Sequence, residues 1–302
     1  MFLNLCKHII YMKTYFIFNN AENVMNAIDD GTFPNYLIYG GWHLHKSGKA
    51  EVIDMKNARK IKNSTVVINV PKYAPALKKN GNRVILINLN SNHILSRNPN
   101  KVMKFLLRKI YTACDVIMCL DKSQINPLRK LGVKSRFVVN PLFIDTTDLF
   151  LVQGRMEFWI KNYSPYYLSS GFDAGRNFSI FSQVNSYVPV VTLGKHNPVK
   201  YLRYCEVLNA SLGVTLNVLN SAGSSDLSGS TTVFEALCMK KPVIINPQPW
   251  LENFPSKNIY IYKTDSELEE FLNSKIEWIE EDANFEFEQF FVKLKKILNI
   301  KN

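Results

Sequence analysis

The sequence predicts an α/β protein made of two Rossmann-like domains that face each other across a cleft. Three observations predict it. Short apolar segments alternate with helical patterns, as in doubly wound sheets. Several of those segments are apolar throughout, as strands covered on both faces are. The alternation stops over residues 146–165 and then resumes. The 302 residues, 46% hydrophobic and 21% charged, suit two domains of about 150 residues each.

In chain order, "TYFIF" (14–18), "NYLIYG" (35–40), "EVIDM" (51–55), "TVVINV" (65–70), "RVILINLN" (83–90), "DVIMCL" (115–120) and "RFVVNP" (136–141) read as strands. Helices are expected at Ala21–Asp29, Pro71–Lys79, Pro99–Cys114 and Lys122–Leu131, the last stopped by Gly132. Met156–Asn162 reads as a short helix before Pro165, and the domain boundary falls here. The second series has strands "YYLSSG" (166–171), "VPVVTLG" (188–194), "VTLNVLN" (214–220), "PVIIN" (242–246) and "IYIYK" (259–263). Its helices are Phe178–Val184, Pro198–Leu208, Ser230–Met239 and Ser266–Asn273. Phe285–Leu298 carries an apolar stripe at 287, 290, 291, 294, 297 and 298, which is helical spacing. The expected division is 1–150, 151–282 and a closing helix, 283–302, that packs back at the junction. Sites should come from strand-to-helix loops facing the cleft, because ligands of such sheets bind beyond the carboxyl ends of the strands.

Composition narrows the function. Cys6, Cys114, Cys119, Cys205 and Cys238 are odd in number and scattered, which suits a reducing compartment. No window reaches the roughly 18 uncharged apolar residues of a membrane span. Lys7, His8 and Lys13 interrupt the apolar start, and no small-residue cleavage site follows, so no signal peptide is expected. Met12-Lys13 reads as a start, with residues 1–11 an upstream extension. The expected location is the cytoplasm, with a peripheral place at a membrane left open. Residues 1–150 hold 22 Lys/Arg and 9 Asp/Glu, or +13, within a whole-chain charge of +12. That imbalance points to an anionic partner for the first half.

The stretch Ser228–Asn246, "SGSTTVFEALCMKKPVIIN", carries the sharpest site signal. A loop rich in small polar residues runs into a helix expected to start near Ser230. The free N–H groups and positive dipole end of that helix favour an anion such as a diphosphate. Gly229, Ser230, Thr231 and Thr232 supply that end. Glu235, about one and a half turns in, suits two vicinal hydroxyls. Phosphate at the helix end and ribose deeper is the geometry of a nucleotide. Read alone, Glu235 equally fits an acid that merely complements the helix dipole.

"GSTTVFEALCMKKPVI" resembles the segment of retaining, family-4-type glycosyltransferases (glycosyl transferases group 1) written E-x7-E-A-x-x-x-G-x-P-V-I. The resemblance implies the GT-B architecture, and that Glu235 binds the ribose of a nucleotide sugar. The motif's first Glu falls at Leu227, with Asp226 one residue earlier. Either Asp226 faces the donor sugar or backbone groups of Ser228–Ser230 take over. The motif's Gly is Lys240 here. "ACDVIMCLDKSQINPLRKLGVKSRFVVNPLFIDTTDLF" (113–150) is similar to the family's first-domain end, and "YYLSSGFDAGRNFSIF" (166–181) to its second-domain opening, strand–Gly–basic–helix. The latter implies that Gly171 lies at the donor and that Arg176 pairs with the diphosphate, which suits a guanidinium fork. Phe172 stands where the family usually has a second cation. "FPNYLIYGGWHLHKSGKAEVIDM" resembles the first-domain segment of short members, which implies that Tyr39, Gly40 and Gly41 lie near the donor.

Breaking a sugar–diphosphate bond builds charge on the leaving group, so cations or N–H donors must meet it. No Asp-x-Asp pair and no His/Cys cluster at metal spacing is found, so no metal and no cofactor are expected, the nucleotide sugar being a substrate. Arg176 and His93 are the catalytic candidates. His93 follows the strand 83–90, where family members commonly carry a His near the donor sugar. His43, His45 and Asp121 are further candidates to orient the acceptor hydroxyl.

Helix 99–114, "PNKVMKFLLRKIYTAC", places Lys101, Lys104 and Arg108 on one face. This is either an ordinary solvated basic side or a surface held against anionic lipid or a lipid-diphosphate acceptor. No recognition helix or stacking motif supports nucleic acid as a partner. The combined reading is a glycosyltransferase using a nucleotide sugar and a glycan or lipid-linked acceptor. The rivals are an epimerase or sugar phosphorylase on the same fold, and a catalytically inactive nucleotide- or glycan-binding protein.

Overall fold

A computed structural model of the chain describes residues 13–29, 36–88, 99–120, 122–140, 165–171, 176–194, 201–219, 231–254, 256–281 and 287–300. The first unit is a sheet of β1 (Thr14–Phe18), β2 (Glu51–Asp54), β3 (Thr65–Ile68), β4 (Arg83–Asn88), β5 (Val116–Cys119) and β6 (Arg136–Val139). Their order is β2-β1-β3-β4-β5-β6, and every pairing is parallel. Crossovers are made by α1 (Ala21–Asp29), α2 (Tyr36–Lys46), α3 (Ala74–Lys79), α4 (Lys101–Thr112) and α5 (Ile125–Lys130).

Strand alternation sorts the side chains into two layers. Phe16, Phe18, Val67, Ile85, Ile87, Val116 and Met118 share one buried cluster with Leu44 of α2. Ile17, Val66, Ile68, Val84, Leu86 and Ile117 share another with Leu77, Leu107, Tyr111 and Leu128 of α3, α4 and α5. Both faces are covered, which is why these strands read as continuous apolar runs.

The second unit is a sheet of β7 (Tyr167–Ser170), β8 (Val190–Leu193), β9 (Gly213–Leu216), β10 (Val243–Ile245) and β11 (Ile259–Ile261), in the order β11-β10-β9-β7-β8, again all parallel. Its helices are α6 (Tyr201–Ala210), α7 (Thr231–Cys238) and α8 (Asp265–Asn273). Thr264 and Glu267 form a reciprocal capping box that starts α8.

The chain ends in α9 (Phe287–Leu298), which returns to the first sheet. Asn140 Nδ2, after β6, donates to Phe290 O at 3.3 Å, and Arg83 Nη2, at the start of β4, donates to Ile297 O at 2.8 Å. Phe290, Leu294, Ile297 and Leu298 are buried in the same cluster as Phe16 and Ile85, and that cluster also takes in Leu168, Val214 and Ile245 of the second sheet.

Two sequence expectations are corrected. "NYLIYG" is not a strand: residues 36–46 form α2. A short apolar run in a helix cannot be told from one in a strand by periodicity alone. Residues 178–184 do not form an α-helix but a 3₁₀ segment, Phe178–Ser182. The expected boundary over 146–165 and the short helix at Met156–Asn162 lie outside the described residues, Pro165 excepted.

Candidate functional site

The second sheet reverses its winding between β7 and β9. From β7 the chain builds β8 on one side, then crosses to β9 on the other. Such a switch point opens a crevice beyond the carboxyl ends of the two strands, where ligands of open α/β sheets bind.

The residues at this point come from four places. Ser170 ends β7, and Gly171 follows with its N–H bonded to Leu193 O at 3.1 Å. The chain then comes back to close the gap. Arg176 makes an antiparallel bridge with Val218, just past β9, and Asn177 N donates to Asn217 O at 3.0 Å. Arg176 thereby lies across both strand ends, and its Nε donates to Ser170 O at 3.1 Å. Gly171 makes room for it. Its φ is +141°, and a Cβ there would stand 2.8 Å from Arg176 Nε. A side chain at 171 would meet both backbone strain and the guanidinium.

Helices α6 and α7 supply the rest. Thr232, in the first turn of α7, has its hydroxyl 3.5 Å from the Ser170 hydroxyl. That contact sets the amino end of α7 beside the carboxyl end of β7. Glu235, one turn further, is only 3% exposed. Its Oε2 accepts a hydrogen bond from the hydroxyl of Tyr204 on α6. Ser170 Oγ also approaches the Tyr204 hydroxyl, at 3.5 Å. Ser170, Tyr204, Thr232 and Glu235 are thus joined by side-chain contacts, and Arg176 is tied to the Ser170 carbonyl.

Burial sets the charges. It pushes the Glu235 carboxyl up to about 8, so the acid is mostly protonated at neutral pH. Burial also raises the Tyr204 phenol, which stays neutral. Arg176 is brought down to about 10, chiefly by burial, and remains a cation at neutral pH. The result is one guanidinium at a switch point, beside a helix start and a set of hydroxyls. An anion suits the cation and the helix end, and a polyol suits the hydroxyls and the neutral acid.

The carboxyl end of α7 explains a departure noted in the sequence. Lys240 N donates to Leu237 O at 3.1 Å and Lys241 N to Ala236 O at 2.8 Å, a Schellman stop. Lys240 takes the left-handed position with φ +53°, the position at which the resembling motif has Gly.

Of the residues expected from sequence, Gly171, Arg176, Thr232 and Glu235 come together here. Thr231 opens α7, though its side chain is outside the described set. Asp226, Gly229, Ser230, His93 and Asp121 lie outside the described residues, as does the Tyr39 side chain. Gly40 and Gly41 stand in a packing seam rather than at an open loop. A Cβ on Gly40 would be 2.7 Å from Leu294 Cδ2 of α9, and one on Gly41 2.7 Å from the Phe16 ring. Both glycines therefore serve close helix approach. His43 lies between aromatic rings, 4.9 Å from Trp42 and 5.8 Å from Phe291, while His45 is exposed. Lys101, Lys104 and Arg108 are exposed on α4, in the first unit.

Sequence reasoning missed Ser170 and Tyr204. Ser170 had a signal, a Ser-Ser-Gly run ending an apolar strand. Tyr204 had none, because it reads as one more apolar position of a helix. Among the described residues there is no group of three or more His, Cys, Asp or Glu placed to hold a metal ion. No described helix is long and apolar enough to cross a membrane.

No protein family and no curated protein matches the chain by sequence. By structure it is similar to HepE of Anabaena, solved in complex with UDP and glucose, with a TM-score of 0.61 over 95% of this chain and 99% of that one, at 11% identity. The likeness extends over both sheets. The chain has the GT-B fold, two Rossmann-like α/β units, each with a fully parallel sheet in its described strands.

Proposed function

We propose that the chain is a glycosyltransferase that moves a sugar from a nucleotide diphosphate-sugar to a hydroxyl of a glycan or lipid-linked acceptor. One observation carries this reading: Arg176 lies across the ends of β7 and β9, next to the first turn of α7 and the buried Glu235. In this reading the pyrophosphate meets Arg176 and the α7 amino end, and the ribose hydroxyls meet Glu235. The Anabaena structure, with UDP and glucose on the same fold, supports a nucleotide ligand.

The chemistry follows from that placement. Leaving-group charge grows on the diphosphate as the glycosidic bond breaks, and Arg176 with the α7 N–H groups is arranged to stabilise it. No metal is required for that step, and the departing phosphate is itself able to take the acceptor's proton in a retaining reaction. Residues 1–150 would then hold the acceptor and 151–282 the donor, with His93 near the transferred sugar.

Calorimetric titration tests the site, starting with UDP and extending to other nucleoside diphosphates. Arg176→Ala should weaken a nucleoside diphosphate by about tenfold to a hundredfold, the worth of a charge-assisted hydrogen bond. It should weaken inorganic pyrophosphate comparably. Glu235→Gln should weaken the nucleoside diphosphate and leave pyrophosphate unchanged. Unaltered nucleotide affinity in both variants overturns the assignment. Turnover separates the rivals. A transferase releases nucleoside diphosphate only when acceptor is present, a phosphorylase needs inorganic phosphate, an epimerase isomerises the donor, and an inactive protein binds without turnover.

A further inference from the structure

Among the described helices, the first half of α4 stands out for its exposed apolar side chains. Asn100 caps it, with Oδ1 accepting from Met103 N at 2.9 Å, so the helix starts firmly at Lys101. Yet residues 101–106 are all exposed. Val102 is 68% exposed, Phe105 66% and Leu106 45%. Only Leu107 and Tyr111 reach the core.

At about 100° per residue, this pattern has a direction. Leu107 and Tyr111 define the inward side. Val102, Phe105 and Leu106 lie on the opposite side, with Lys109 among them. Lys101, Lys104 and Arg108 line one flank. The neighbouring α3 and the Pro71–Tyr73 turn pack on α4 and add exposed Lys72 and Lys79. The helix has no acidic residue, and Asp115 just beyond it is held by Lys78 at 2.6 Å. Large apolar side chains that project from a convex helix, edged by cations, have the form of an interfacial helix. Aqueous exposure of such a patch is unfavourable, and patches of this kind mark interaction sites.

We propose that the outward face of α4 docks on a bilayer surface carrying anionic headgroups. Phe105, Val102 and Leu106 enter the headgroup–acyl boundary, while Lys101, Lys104, Arg108 and Lys109 meet the phosphates. Charge complementarity selects this occupant: the half of the chain that carries α4 is +13, from 22 Lys/Arg and 9 Asp/Glu. Docking needs no sugar donor and stands apart from the transfer reaction, so either reading can fail without the other.

The test uses the full chain and extruded vesicles, without nucleotide. The chain should co-sediment with vesicles of phosphatidylcholine and phosphatidylglycerol and not with phosphatidylcholine alone, and high salt should release it. Lys101→Glu with Lys104→Glu should lower partitioning by about twentyfold or more. Phe105→Glu should lower it by about tenfold or more. Both variants change exposed side chains, so their thermal midpoints should match the parent's. Equal binding to neutral vesicles, or partitioning unmoved by Phe105→Glu, overturns the proposal. So does a chain that ignores both vesicles and forms a dimer that Phe105→Glu dissociates, since a second copy would then cover the face.

Discussion

Tyr204 and Glu235 face each other across the α6–α7 contact, phenol to carboxyl, and no bulk water separates them. The pair turns the acid inward, toward the sheet end, instead of letting it extend from the helix surface. Tyr204→Phe would keep the packing and remove the one hydroxyl. A buried carboxyl oxygen deprived of its donor costs about 1–3 kcal/mol, and a denaturant titration should show a loss of that size. If Tyr204 also positions Glu235 for a ribose, the affinity for a nucleoside diphosphate should fall while that for inorganic pyrophosphate holds.

Glu235 makes stability depend on pH in a stated direction. Its ordinary value is 4.5, and burial raises it to about 8 in the folded chain. Between these values the folded state keeps a proton that the unfolded state has lost. Stability from this group is therefore full below about pH 4.5, declines as pH rises toward 8, and levels off above. Glu235→Gln removes the titration. Its thermal midpoint should fall less with rising pH than the parent's, the two curves separating most on the alkaline side. Parallel curves would show that the carboxyl is ionised in the fold.

Gly171→Ala attacks the cation without touching it. The new methyl would stand 2.8 Å from Arg176 Nε, at a φ of +141° that alanine rarely adopts. Arg176 should leave its place over β7, and affinity for inorganic pyrophosphate should drop as far as in Arg176→Ala. Pyrophosphate binding at parental strength would separate the anion site from this guanidinium.

Lys240→Gly should stabilise the chain. A lysine at φ +53° carries the left-handed penalty that glycine avoids, offset in part by glycine's greater freedom when unfolded. A gain of about 0.5–1 kcal/mol by denaturant unfolding is expected. The lost ion pair with Glu280, 3.2 Å apart and with both groups largely exposed, subtracts little.

Much of this was readable from the amino acids. Ten of the eleven described strands fall inside expected apolar runs, and β9 starts one residue before its run, because strands covered on both faces write their burial directly as Val, Ile and Leu. The acid of α7 was singled out by its place just after a small polar loop at a helix start, and the arginine after β7 only through the resemblance to a strand–Gly–basic–helix opening. Tyr204 was not, because its role arises only when α6 is laid beside α7, a contact between positions 31 apart in sequence. Gly40 and Gly41 have packing neighbours that were hidden for a related reason. The resemblance implied a place near the donor, and it could not show that Phe16, Phe290 and Leu294 press on them, from far earlier and far later in the chain.

The last helix has a bearing on how this chain is made. Its backbone carbonyls take hydrogen bonds from Arg83 and Asn140, and its side chains roof the sheet that holds Phe16 and Ile85. A ribosome delivers that roof well after the sheet it covers, with the whole second sheet made in between. The amino-terminal sheet must then wait, with part of one layer of its interior uncovered, while β7 to β11 are translated. Halving the gene at the join between the sheets would yield an amino-terminal piece with a bare flank, and supplying the closing helix in trans would be the natural remedy.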